Sequence, residues 1–303
     1  MSNRFVNFTG EAVLDSLKKP AGEAEDKTQK KSLWSDLMVR FASGIVLAAA
    51  AFAVTWWGGV AFALFFGAVT MLIYREWLSM VGEAPAQTPA LTGYIVIIGS
   101  LFCFYFTDWQ AGLAIPAFGA GYLFFARCSY RTARWCGLGI LYAAAFGGAI
   151  FLLRQDPDYG LQAILVLFAL VWGTDVSAYF VGKYVGGPKL WRRVSPKKTW
   201  SGSIGGLVLG TGFSAFVAVL LGIVPDMRLI ALLGGLSVLS QVGDLAESQM
   251  KRMFDVKDSG TLIPGHGGVM DRVDGLLFAV VAAALIGVAL GDVHSVATGF
   301  LIQ

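Results

Sequence analysis

The chain has 303 residues, of which 56% are hydrophobic and 14% charged, against about 25% charged in an average soluble domain. This excludes a disordered protein and argues against an ordinary cytosolic enzyme. The formal net charge of +3 is too small to point to a nucleic acid partner, and no zinc-type spacing is present. Cys103, Cys128 and Cys136 lie in or beside apolar runs without a C-x-x-C pair, so they read as packing residues.

In chain order, residues 1–40 are polar, carry both signs of charge and lack the basic-then-apolar order of a cleaved signal peptide. They read as a cytoplasmic tail. Nine apolar windows follow, at 41–57, 60–74, 91–107, 111–126, 137–153, 161–181, 204–224, 229–248 and 275–291. Each is near the length that crosses a bilayer as a helix. The expected fold is therefore all-α, a polytopic membrane protein with about nine transmembrane helices. With the N-terminus inside, the inner segments hold 21 Lys and Arg and the outer segments only Arg154 and Arg228. Cations gather on the cytoplasmic side of short loops, so the split predicts an inside N-terminus and an outside C-terminus. The chain divides into the tail, helices over 41–160, and a C-terminal region over 161–303 with inner loops at 182–203 and 249–274.

Ionisable groups within membrane segments cost about 2.5–3.5 kcal/mol each on insertion scales, so each needs a partner, an ion or a wet cavity. Asp175 lies inside the sixth window, Asp244 and Glu247 end the eighth, and Asp271 and Asp274 precede the ninth. A single such acid can serve as a helix cap or pair with a neighbouring cation; three clusters call for more. Asp244, Glu247, Ser248 and Lys251 are spaced i, i+3, i+4, i+7 and share one helix face. Asp271 and Asp274 repeat the i, i+3 relation. Oxygen ligands without His or Cys at metal spacing suit Mg²⁺.

The first inner loop holds Lys183, Lys189, Arg192, Arg193, Lys197 and Lys198, cations that could simply rest on anionic headgroups. In Ser195-Pro196-Lys197-Lys198-Thr199-Trp200-Ser201-Gly202, however, hydroxyls and backbone donors join the ammoniums just before a helix start, a composition suited to anions. The second loop carries Lys251, Arg252, Lys257 and Asp258, then His266 among glycines that allow close backbone approach. His294 is assigned no role.

The segment Ser248–Asp274 resembles, position for position, the pattern of phosphatidate cytidylyltransferases, also called CDP-diacylglycerol synthases. It reads S-x-M-K-R, four residues, K-D-x-G, two residues, I-P-x-H-G-G-V-x-D-R-V-D. Asp175–Gly187 and Ser195–Gly202 look like two further family segments in the expected order; Ser201 departs from the Glu or Gln of many members. The resemblance covers roughly 170–275, and only the hydropathy of the N-terminal half is family-like.

It implies a nucleotidyltransferase that joins CTP to phosphatidate, releasing pyrophosphate, in the cell membrane (the inner membrane of a two-membrane bacterium) with its site facing the cytoplasm. CTP, phosphatidate and membrane lipids are the implied partners, with no nucleic acid; a homodimer is a family-based expectation. Asp175, Asp244 and Asp271 would lead as ligands of one or two Mg²⁺ ions, with Glu247 and Asp274 beside them and a monovalent cation left open. Asp244, Lys251, Arg252 and Asp271 would form the catalytic group. Lys197, Lys198, Thr199, Ser248, Lys257 and Arg272 would hold phosphates, Arg272 alternatively pairing with Asp258. His266, Gly267 and Gly268 would line the nucleotide or lipid headgroup. Against this stand a cation-coupled transporter, since the acids could line an ion path, and related lipid enzymes, a polyprenol kinase or a CDP-alcohol phosphotransferase. For the last, the D-G-x-x-A-R pattern is missing.

Overall fold

A computed structural model of the chain describes residues 43–84, 87–125, 131–260, 262 and 267–302. The tail at 1–40, Cys128 and His266 lie outside them. Each of the nine apolar windows falls on a helix: α1 (Ser43–Trp57), then α2 (Gly59–Val81), α3 (Thr88–Phe106), α4 (Trp109–Phe125), α5 (Arg131–Gln155), α6 (Gly160–Tyr184), α7 (Trp200–Leu220), α8 (Met227–Met253) and α9 (Met270–Leu290). All but α1 and α4 are long and apolar enough to cross a membrane, seven among the described residues. The architecture is a polytopic helical membrane protein, ending in a short α10 (Val296–Leu301).

One element departs from the all-α expectation. Within the first basic loop, β1 (Lys189–Trp191) and β2 (Ser195–Thr199) form an antiparallel hairpin that pairs Lys189 with Thr199 and Trp191 with Ser195. Strands this short, interrupted by Pro196, carry no readable alternation. The hairpin runs directly into α7, whose N-cap Thr199 accepts a hydrogen bond from the Gly202 N–H at 3.1 Å.

Helices α6 and α7 pack with their backbones nearly touching. The buried face of α7 is Gly202, Gly206, Gly210, Ser214 and Ala218, one small residue per four. A Cβ on Gly206 would lie 2.8 Å from the Thr174 carbonyl oxygen, and one on Gly210 would lie 2.8 Å from the Thr174 Cα. Lipid tails are as apolar as Leu, so close van der Waals approach rather than hydrophobic burial joins helices here. The opposite face of α7 exposes Val208, Phe216 and Leu220, suited to lipid. Ser214 Oγ donates to Val166 O at 2.9 Å, and Thr174 Oγ1 shares a 2.8 Å hydrogen bond with Ser237 Oγ of α8.

The connections gather at two ends. At one, Trp77 Nε1 of α2 donates to Trp135 O at the start of α5, and the Trp135 ring meets Phe254 at the end of α8. At the other, Arg154 and Arg228, the two cations expected outside, are tied to backbone. Arg154 Nε donates to Thr55 O at 3.0 Å, and Arg228 Nη2 to Gly299 O at 2.9 Å. Asp156 fastens α10 at the same end. Its carboxylate accepts from the Asp158 and Tyr159 N–H groups, both at 3.0 Å, and from Thr298 N at 2.8 Å.

Burial alone would push the Asp156 carboxyl up, but the hydrogen bonds from Tyr159 and Thr298 outweigh it and hold the group below the ordinary carboxylate range. A lowered folded-state pKa contributes stability that is present above the unfolded value and is lost as pH falls through the folded one. Asp156→Asn keeps one acceptor but turns an NH₂ toward another N–H. It is expected to cost about 1.5–3 kcal/mol, the range for hydrogen bonds to charged groups. In thermal unfolding scans in detergent from pH 7 down to 3, the variant should start lower and lose less on acidification than the unmodified protein.

Candidate active site

Four segments converge at the end of the bundle that carries the hairpin: the C-terminal half of α6, the last turns of α8, the loop after it, and the first turn of α9. They enclose a cavity of about 300 Å³ lined by Asp175, Asp244, Lys251, Asp258, Asp271, Arg272 and Asp274. Every lining side chain is charged. Water-sized space walled by five carboxylates and two cations is the reverse of a packed core, and it marks where a charged ligand can enter.

The shared face expected on α8 is present. Asp244 and Lys251 line the cavity, Glu247 is buried beside them, and Ser248 Oγ is 3.5 Å from Asp244 Oδ1. Helix α9 begins at Met270, early enough for Asp271 and Asp274 to face the same space. Lys198, at the end of β2, forms an ion pair with Asp244. Lys251 Nζ lies 2.5 Å from Asp271 Oδ1 and 3.4 Å from Glu247 Oε1. The other oxygen of Asp271 accepts from Ser259 N at 3.0 Å, Gly268 N at 2.9 Å and Ser259 Oγ at 2.9 Å.

The remaining expected residues are placed less centrally. Arg252 is exposed and donates to Val256 O at 3.3 Å, closing the end of α8. Thr199 uses its hydroxyl as the α7 cap, Lys197 is exposed on β2, and Lys257 lines a neighbouring cavity of about 670 Å³ with Arg75 and Glu76. Gly267 has φ 77°, a left-handed conformation that favours glycine. Ser201 Oγ donates to Gly186 O.

Two contributors escaped the sequence reading. Ser259 lies inside the loop motif, and Glu76 lies on α2, far away in sequence. Glu76 is 5% exposed. It accepts hydrogen bonds from Val269 N at 2.8 Å, Met270 N at 2.7 Å and Ser259 Oγ at 3.0 Å. The N-cap residue of α9, Val269, provides no side-chain cap, so a carboxylate from another helix satisfies those amides.

Among the described residues no three acids converge closely enough to enclose an ion by themselves. The donor set nevertheless suits a hard cation. It is all oxygen, and neither oxygen of the buried Glu247 carboxylate is hydrogen-bonded, Oε1 standing 3.4 Å from the Lys251 ammonium as an ion pair. Mg²⁺ characteristically takes one or two carboxylates and completes its shell with water and phosphate oxygens.

Comparison with known proteins gives the arrangement its context. The cytidylyltransferase family profile matches residues 38–290. A phosphatidate cytidylyltransferase of Brucella abortus is 39% identical over 266 residues, 85% of this chain and 96% of the relative. The Pseudomonas aeruginosa protein of the same name is 37% identical over 255 residues, 76% of this chain and 89% of its own. A Bacillus subtilis phosphatidate cytidylyltransferase is 43% identical over 127 residues, 42% of this chain. With a match that takes in α2 through α9 and the whole charged cavity, the chain belongs to the cytidylyltransferase family.

Proposed function

We propose that the chain transfers the cytidylyl group of CTP to phosphatidate, yielding CDP-diacylglycerol and pyrophosphate. The observation that carries this reading is the cavity of carboxylates and cations at one end of the helix bundle, all of it within residues 38–290, which the family profile matches. In the reaction a phosphate oxygen of the lipid attacks the α-phosphorus of CTP. A new P–O–P link forms, the bond between the α- and β-phosphates breaks, and pyrophosphate leaves with its electron pair. The attacking oxygen is already largely ionised near neutral pH, so no strong base is required.

What the reaction needs is charge cancellation and alignment. Lys198, Lys251 and Arg272 bring positive charge to a cavity that would otherwise repel three phosphates. In the resting protein Lys198 and Lys251 are neutralised by Asp244 and Asp271; incoming phosphate oxygens would compete for the same ammoniums. Asp175, Asp244, Glu247, Asp271 and Asp274 would hold Mg²⁺ as the ammoniums turn to phosphate. When bound, the ion would withdraw charge from the α-phosphate and the leaving group. The hairpin brings Lys198 to Asp244, one of the cavity's lining residues; the reaction requires access from water for CTP and from lipid for the acyl chains.

Nine spans, a cytoplasmic N-terminus, an outer C-terminus and a cytoplasm-facing site complete the proposal, supported by the Lys and Arg asymmetry. A homodimer is part of the expectation from the family. The transporter reading gains nothing from the geometry, since the acids gather at one end instead of forming a path across the bundle. The test is to incubate the purified protein in detergent with phosphatidate and labelled CTP, with and without Mg²⁺. CDP-lipid and pyrophosphate should appear in equal amounts and only with the divalent ion. A folded protein that makes neither, or that releases pyrophosphate without CDP-lipid, would overturn the assignment.

A further inference from the structure

We infer that Glu76 is a positioning residue, by which the N-terminal half of the chain holds Asp271 in the active site. The inference rests on the reading of the cavity given above. Glu76 comes from α2, 195 positions before Asp271, within a half of the chain whose sequence carries no catalytic pattern. It is connected to Asp271 in two ways. Its carboxylate binds the Val269 and Met270 amides at 2.8 and 2.7 Å, which sets the first turn of α9 and with it the direction of the Asp271 side chain. It also shares the Ser259 hydroxyl with Asp271, at 3.0 and 2.9 Å.

The hydroxyl has one proton for two acceptors, so Glu76 and Asp271 are coupled through it: when one receives the bond the other relies on its backbone donors. Asp271 has two, Ser259 N and Gly268 N, and Glu76 has two. The arrangement is therefore fully supplied and leaves Asp271 Oδ1 free to face Lys251 and the cavity. Space for it depends on glycine. A Cβ on Gly268 would collide with both Ser259 Oγ and Glu76 Oε2, and one on Gly260 would lie 2.9 Å from Glu76 Oε1.

Groups that orient an active-site ligand without touching the substrate typically change activity by about 10- to 100-fold when removed. Glu76→Gln keeps the size but sets an NH₂ against one of the N–H donors, and Ser259→Ala removes only the shared hydroxyl. In the CDP-lipid assay each should lower kcat by about 10- to 100-fold with little change in KM for CTP. The double variant should fall well short of the product of the two losses, since the hydroxyl link that Ser259→Ala removes is one of the two that Glu76→Gln already disturbs. Hydrogen exchange should show faster exchange at residues 267–271 in Glu76→Gln while the rest of the helices keep their protection.

Unchanged kcat in Ser259→Ala, or faster exchange without loss of kcat in Glu76→Gln, would make the contact structural only and overturn the inference. So would multiplicative effects in the double variant. If Glu76→Gln does not fold, the Ser259→Ala result decides. If the unmodified protein makes no CDP-lipid, the cytidylyl-transfer reading fails by itself, and the exchange data still report whether Glu76 holds the start of α9.

Discussion

Asp271→Asn is expected to lower the rate of CDP-lipid formation by about 10³-fold while leaving the protein folded. The magnitude follows from removing one preorganised charged group from a site whose task is to stabilise developing charge, typically about 10²–10³-fold in kcat. The geometry places Asp271 toward the upper end. One oxygen meets the Lys251 ammonium at 2.5 Å and the other accepts from Ser259 and Gly268 amides at 3.0 and 2.9 Å. An amide has one acceptor and one donor end, so it must turn its NH₂ either on the ammonium or on the two N–H groups. Lys251 would then rely on Glu247 at 3.4 Å and shift within the cavity. Titrating Mg²⁺ separates the contributions: a raised half-saturation with reduced kcat marks Asp271 as a ligand, whereas reduced kcat at unchanged half-saturation marks it as the anchor of Lys251. Near-normal turnover at saturating Mg²⁺ would remove it from the catalytic group.

The bundle was legible in the sequence because the bilayer demands helices with continuous apolar surface: among the described residues each window falls on a helix, and seven of these helices are long and apolar enough to cross a membrane. Their ends were less so, for a physical reason seen at α2. The window stops at residue 74 because Arg75 and Glu76 follow, yet the helix continues to Val81 and ends at Gly82, φ 78°, a left-handed C-cap. Glu76 stays inside because α9 supplies its donors, and hydropathy cannot register a partner 193 residues away. The face of α8 and the pair on α9 could be read because helical spacing alone puts Asp244 with Lys251 and Asp271 with Asp274. The ion pairs of Lys198 with Asp244 and of Lys251 with Asp271 could not, since they depend on how a hairpin and two helices meet. Arg252 illustrates the converse. It stands next to Lys251 in the motif, but one helical position turns it about 100° away, and its guanidinium reaches a carbonyl of the following loop.

Lys198→Ala should produce a second large loss, with almost no effect on stability. The Lys198 and Asp244 side chains are 28% and 31% exposed, and pairs so open to water contribute only about 0–1 kcal/mol to folding. A thermal midpoint close to that of the unmodified protein is therefore expected. Activity should respond quite differently, because Asp244 would face Asp175, Asp271 and Asp274 across a cavity of about 300 Å³ without its cation. Three phosphates entering that field meet added repulsion, and loss of a cation that stabilises phosphoryl transfer costs about 10³–10⁵-fold in the strongest cases. Here, with Lys251 and Arg272 remaining, a fall of about 10²- to 10³-fold in kcat/KM for CTP is expected. The sign for Mg²⁺ is opposite: freed from its ammonium, Asp244 competes better for the ion, and the half-saturating Mg²⁺ concentration should drop. Lys198→Arg keeps the charge, but its planar guanidinium cannot repeat a point contact with Asp244, so it should recover only part of the loss. Steady-state kinetics over CTP, phosphatidate and Mg²⁺ with both variants measures all of this, and unaltered constants for both substrates in Lys198→Ala would reduce the pair to a surface contact.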